Sequence, residues 1–127
     1  MDQKRAVIIA VMAILISSPS LASATAAVAG FTTPTYTPST CFGKENKGNM
    51  IALLGGSMWN NGGYCGKTLS VTCVDEPQIC KSSLTVNVIV VGYCNNCDGI
   101  DFRLSNEAFD QISYESSHRA KVDYAMQ

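Results

Sequence analysis

The sequence predicts a small, mostly β extracellular domain with one short helix, stapled by disulfides and sized for a closed barrel. Three observations carry that expectation. The six cysteines, Cys41, Cys65, Cys73, Cys80, Cys94 and Cys97, all follow an export-type leader, and an even count in a short exported chain implies a disulfide framework. Three segments, Thr68–Cys73, Leu84–Tyr93 and Ala120–Met126, read as strands, and a single stretch, Asn106–Ile112, reads as a helix.

The leader comes first in the chain. Met1 to Arg5 carry two cations, Ala6–Ile16 is apolar throughout, and Ser17-Ser18-Pro19-Ser20 breaks the run before a small-x-small cleavage pattern at Ala22-Ser23-Ala24. That succession describes a secretory signal peptide, and the apolar run falls well short of the ~20 residues a spanning helix needs. Residues 1–24 are therefore read as the signal and 25–127 as one domain, with Ala24-Thr25-Ala26 offering a second cleavage pattern. A domain of that length buries about 60–70% of its unfolded surface, so its core is modest. Removing Asp2, Lys4 and Arg5 changes the formal net charge of the chain from −1 to −2. No basic stripe for nucleic acid and no polybasic membrane patch appears. The expected product is a secreted monomer without membrane insertion, cofactor or metal.

Residues 33–40, TPTYTPST, should be extended but irregular, because proline fixes φ and restricts the residue before it. Asn60-Asn61-Gly62-Gly63 is a turn signal, since Asn and Gly accept positive φ. Thr68–Cys73 alternates as a half-buried strand does. In Leu84–Tyr93, rich in β-branched residues, Leu84, Val86, Val88 and Val90 are expected to share one face. Ser105 is placed to cap the helix, Glu107 sits near its positive end, and Leu104 and Phe109 have staple spacing. Ala120, Val122, Tyr124 and Met126 alternate with Lys121 and Asp123 in a closing strand.

The order of motifs resembles that of the plant natriuretic peptide family, single-domain relatives of expansins. The resemblance runs through Pro38-Ser39-Thr40-Cys41-Phe42-Gly43, Gly48-Asn49-Met50-Ile51-Ala52, Trp59-Asn60-Asn61-Gly62, Tyr64-Cys65-Gly66-Lys67 and Val71-Thr72-Cys73. It continues through Val88-Ile89-Val90, Cys94 and Cys97 to Leu104-Ser105-Asn106-Glu107-Ala108-Phe109, covering nearly all of residues 30–126. It implies a six-stranded double-psi β-barrel with one or two short helices, and the pairings Cys41–Cys65, Cys73–Cys80 and Cys94–Cys97. By the loop-entropy model the first of these would contribute about 3 kcal/mol.

Expansins resemble a β-glucan hydrolase, and that chemistry needs two carboxylates across a groove. In such relatives an Asp precedes the Leu-Ser that opens the helix, and another commonly precedes the cysteine ending the long strand; here those positions are Arg103 and Gly92. A guanidinium stays protonated and serves as neither partner. Asp98 and Asp101 lie close by and read as solvated loop acids, so no catalytic residue is assigned. Cys94-Asn95-Asn96-Cys97 has the spacing of a redox dithiol, but its exported context favours a structural disulfide. His118, in a polar turn, is read as a solvated loop residue and Trp59 as core packing.

The resemblance then implies a non-enzymatic, secreted signal acting in the apoplast on water and ion homeostasis through a cell-surface protein receptor. Its recognition segment would be Tyr36 to Lys67, with Tyr36, Tyr64 and Lys67 as candidate receptor-binding residues. The alternative is an expansin- or barwin-like cell-wall protein that binds polysaccharide, or acts in defence, without hydrolysing it. The sequence ends at Gln127, short of the second carbohydrate-binding domain of expansins.

Overall fold

The computed structural model describes residues 24–81 and 84–127. The signal segment before Ala24 therefore lies outside the described residues. The strands are β1 (Thr25–Thr32), β2 (Ile51–Leu54), β3 (Thr68–Cys73), β4 (Thr85–Tyr93), β5 (Phe102–Ser105) and β6 (Ala120–Met126). One α-helix, α1 (Asn106–Ile112), follows β5, and 3₁₀ turns span Gly56–Gly62 and Glu115–Ser117. The strands close into a barrel in the order β1-β5-β2-β4-β3-β6. The pairs β1/β5 and β2/β4 are parallel and the rest antiparallel, giving the six-stranded double-psi barrel. Closure removes every exposed sheet edge.

Alternation fills the interior. Leu69, Val71 and Cys73 of β3, Val86, Val88 and Val90 of β4, and Ala120 and Val122 of β6 all point inward and are buried. Leu84 departs from its expected place on that face: it precedes β4 and is 53% exposed, because the strand and its pairing begin only at Thr85. At the other end of β4 the alternation stops, with Val91 and Gly92 both buried. The outer face there is covered by the segment around Cys41, whose amide donates to the Val91 carbonyl at 2.8 Å.

Helix α1 plugs one side of the barrel for the reasons its sequence gives. The Ser105 hydroxyl accepts from the Ala108 amide at 3.2 Å, and Glu107 lies in the first turn. Ala108, Phe109 and Ile112 are its buried face. Leu104 and Phe109 are both fully buried, and the Phe109 ring packs 5.1 Å from that of Phe31. Burying one such aromatic stabilises by about 1.5–3 kcal/mol.

All six cysteines pair as the resemblance implied, Cys41–Cys65, Cys73–Cys80 and Cys94–Cys97, with Cα–Cα separations of 5.6, 5.7 and 5.5 Å. Cys73 and Cys80 belong to the hydrophobic core, so their bridge also fills volume. The Asn-Asn-Gly turn takes positive φ at three successive residues, Asn60, Asn61 and Gly62. Strands β1, β2 and β5 had no clear alternating signature. Two of them, Ile51–Leu54 and Phe102–Ser105, are only four residues long, and three of the eight residues of β1 are alanine.

Candidate functional site

The outer face of the barrel carries one transverse row of residues in register. Gly30 of β1 lies opposite Arg103 of β5, Arg103 opposite Leu53 of β2, and Leu53 opposite Gly92 of β4. Phe102 and Leu104 point into the core, so Arg103 between them points out. A register shift between Ala52 and Leu53 adds one residue to β4 and brings Gly92 rather than Val91 opposite Leu53. Four strands make a floor about 14 Å wide, three spacings of ~4.8 Å.

Both glycines on this floor are places where neighbouring backbone comes down. A Cβ on Gly92 would lie 3.0 Å from the Thr40 hydroxyl, 3.2 Å from Leu53 Cδ2 and 3.4 Å from the Thr40 amide nitrogen. A Cβ on Gly30 would lie 2.7 Å from Ile100 Cδ1 and 3.4 Å from the His118 carbonyl. The side chains available on the row are therefore Leu53 and Arg103. Arg103 is held by three hydrogen bonds: Nη1 to the Phe31 carbonyl at 3.2 Å, and Nη2 to the Asn96 carbonyl at 3.2 Å and Asp98 Oδ2 at 2.9 Å.

One depression lies beside each member of this pair. On the Leu53 side, the strap 33–40 crosses the floor, so that Thr32, Thr35, Tyr36, Thr40 and Tyr93 surround Leu53. Tyr93 is 38% exposed, and its ring packs 5.4 Å from the half-buried Trp59 at an interplanar angle of 45°. Trp59 thus packs at the rim of the core with part of its surface in solvent, rather than plugging the barrel interior. On the Arg103 side lie Phe31, Asp98, His118 and Arg119. His118 is exposed, and its left-handed backbone (φ 65°) turns the chain toward Gly30.

The strap is fixed from both ends. The Thr40 hydroxyl accepts from the Tyr93 amide at 3.3 Å. The Tyr36 hydroxyl reaches Glu107 Oε1 at 2.5 Å and Asn106 Oδ1 at 2.7 Å, at the start of α1. Burial first, and then the hydrogen bond to the Glu107 carboxylate, push the Tyr36 phenol up to about 12. Tyr36 is thus half-buried with its hydroxyl engaged. Tyr64 is half-buried against the core, and Lys67 is exposed just beyond the Cys41–Cys65 bridge.

Neither loop acid is merely solvated. Asp101 Oδ2 accepts from the Val28 amide at 2.8 Å, and Asp98 is ion-paired with Arg103. Among the described residues no group of three His, Cys, Asp or Glu could hold a metal ion, and no helix is long and apolar enough to cross a membrane. The groove residues Tyr93, Leu53, Thr35, Thr40 and Arg119 escaped the sequence reading. Tyr93 was visible only as the last residue of a strand, and the strap threonines only as irregular polar chain.

Comparison with known proteins agrees with this fold. Residues 51–124 match the family described as "Lytic transglycolase". An "EG45-like domain containing protein" of Citrus jambhiri is 35% identical over 125 residues, covering 94% of each chain. A mutant Clavibacter michiganensis expansin in complex with cellohexaose superposes with a TM-score of 0.64 at 20% identity. That match covers 82% of this chain and 50% of the expansin, so the chain spans half the expansin's length. The Streptomyces papain inhibitor gives 0.63 at 16% identity, covering 83% and 94%. At those identities the two structures share the fold alone. Barrel, disulfides and relatives together place this chain in the expansin-like family, among the EG45-like domain-containing proteins.

Proposed function

We propose that this protein is a secreted cell-wall protein that holds a polysaccharide chain across the outer face of its barrel and does not cleave it. The observation that carries the reading is the transverse row Gly30–Arg103–Leu53–Gly92, where hydroxyls and an exposed aromatic line the groove and, among the described residues lining it, the one carboxylate, Asp98, is paired with Arg103. Sugars are bound by such surfaces because C–H faces stack on aromatic rings while hydroxyls exchange hydrogen bonds. Tyr93 and Trp59 supply the stacking edge, and Thr35 and Thr40 the hydroxyls. The cellohexaose bound to the expansin with this fold is consistent with such a ligand.

Cleavage fails on the same row. Glycosidic hydrolysis needs an acid on the leaving oxygen and a second carboxylate opposite. Arg103 is permanently cationic, and the space above Gly92 is filled by Thr40. Asp101 is turned to the Val28 amide and Asp98 to Arg103. Binding to cellohexaose and to insoluble cell-wall polysaccharide, with reducing-sugar release followed in the same samples, tests the reading. Binding without release is expected, and Tyr93→Ala should weaken it about tenfold, the worth of one stacked ring. Release that disappears on changing Asp98 or Asp101 would overturn it, as would no binding at all.

A second reading is extracellular signalling of natriuretic-peptide type, acting on water and ion balance through a cell-surface receptor. It is favoured by the Cys41–Cys65 ring, which presents the exposed Lys44 and Glu45, with Lys67 exposed beside it. A ring held in one shape lowers the ordering cost of binding. A peptide of residues 36–67 cyclised through the two cysteines should then act on plant protoplasts, and its inactivity would count against this reading.

A further inference from the structure

The two ends of the groove differ in chemistry. At the Leu53 end it is neutral, with threonine hydroxyls and Tyr93. At the other, Arg103, Arg119 and His118 gather around a single acid, Asp98. We propose that the Arg103 end selects polysaccharides whose sugars carry carboxylates, so that the ligand is an acidic, uronate-bearing chain; this rests on the polysaccharide-binding reading.

The geometry of Arg103 is that of a waiting anion site. Its guanidinium is oriented by two backbone carbonyls, those of Phe31 and Asn96, which hold it in place without neutralising it. Arginine has five N–H donors, and three are engaged, leaving others for an incoming acceptor. Its one anionic partner, Asp98, is 62% exposed at the tip of a loop whose backbone runs through positive φ at Asp98 and Gly99. An ion pair so open to water is worth little, so a ligand carboxylate displaces it at small cost. Asp98 thus reads as a placeholder that occupies the fork until a ligand carboxylate displaces it. Gly30 completes the arrangement. Having no side chain, it lets the His118 turn descend onto the floor beside Arg103, and Arg119 follows directly. Carboxylate recognition by arginine is geometrically favoured, because the planar fork matches the two oxygens. The neutral, aromatic end argues for a sugar chain rather than an acidic peptide, which would leave those hydroxyls and that ring without a partner.

The test compares hexagalacturonate with cellohexaose on the full secreted protein by calorimetry, with polyglutamate as a non-sugar polyanion. Hexagalacturonate should bind at least tenfold more tightly than cellohexaose at low salt, with the advantage shrinking as salt rises. Arg103→Gln should remove that advantage, lowering hexagalacturonate binding by a much larger factor than cellohexaose binding. Asp98→Asn should strengthen hexagalacturonate binding a few-fold by removing the competing carboxylate, an effect that damage to the fold would not produce. Should Arg103→Gln fold poorly, Arg119→Gln, which makes none of the anchoring bonds of Arg103, should still lower the preference for the acidic chain. Equal binding of both hexamers, indifferent to salt and to Arg119→Gln, would refute the inference while leaving the polysaccharide reading intact. Binding of neither would remove both. Polyglutamate binding as tightly as hexagalacturonate would replace the glycan with an acidic peptide surface and refute the proposal.

Discussion

Replacing Tyr36 by phenylalanine isolates the tie between the strap and α1. The hydroxyl has one proton and lies within reach of Glu107 Oε1 at 2.5 Å and Asn106 Oδ1 at 2.7 Å. The proton goes to the carboxylate, and the Asn106 amide turns its NH₂ toward the phenol oxygen, since both acceptors cannot share one donor. A hydrogen bond to a charged group contributes about 1.5–3 kcal/mol, and the half-exposed setting lowers this to about 1–2. For a domain of this size that is a fall in Tm of about 5–10 °C. The loss has a pH signature. An unfolded tyrosine ionises near pH 10, whereas folded Tyr36 holds its proton up to about 12. Between those values the folded state binds a proton that the unfolded state has lost, so stability present below pH 10 declines as the pH rises through that window. Tyr36→Phe should flatten that decline, and a spectroscopic titration should lose the tyrosine that ionises at about 12. Because the strap also walls the groove, cellohexaose binding should weaken several-fold. An unchanged Tm, with the late-titrating tyrosine still present, would refute the assignment of Tyr36 as a strap anchor.

Other perturbations probe the remaining supports. Phe109→Ala should cost about 3–5 kcal/mol, because the ring is fully buried against Phe31 and the core closes only partly; urea denaturation measures it. Opening Cys41–Cys65 with serines frees a 24-residue separation and should cost about 3 kcal/mol by loop entropy, more than opening Cys94–Cys97, whose separation is 3. The reverse order of midpoints would contradict that account. Asp75 has its carboxyl held below the usual range by the Lys121 amide and then the Glu76 amide. Its contribution is present above the ordinary carboxylate pKa and lost as the pH falls through the lowered one, so Asp75→Asn should make acid unfolding less steep. Gly92→Asp should destabilise by about 1–3 kcal/mol through overpacking against Thr40, and should create no hydrolysis in combination with Arg103→Asp.

What was legible in the chain tracks how strongly each element depends on its own residues. Strand β3 and helix α1 appear within the bounds their patterns gave, because alternation and a Ser105 cap are local chemistry. Strand β1 could not be read in this way: Ala26, Ala27 and Ala29 have little strand preference, and they extend only because β5 and β6 flank them. Leu84 misled for the opposite reason, continuing a residue pattern past the point where a partner strand exists. The groove was the least legible, since it is made by register and by a bulge, which bring Gly30, Arg103, Leu53 and Gly92 together from four segments.

That row also explains why the two departures from the hydrolase pattern belong together. If only Arg103 replaced an acid, an Asp at position 92 would still face the groove as a lone carboxylate beside a cation. Gly92 instead lets Thr40 settle over β4, where its hydroxyl accepts from the Tyr93 amide and fixes the strap across the floor. The space a second carboxylate would need is taken by Thr40 and the strap. A surface changed in this way keeps the length and stacking edge suited to a sugar chain, while its central charge is reversed from acid to base. On the polysaccharide-binding reading proposed above, the specificity of such a groove would follow from which chains bring a negative charge to Arg103.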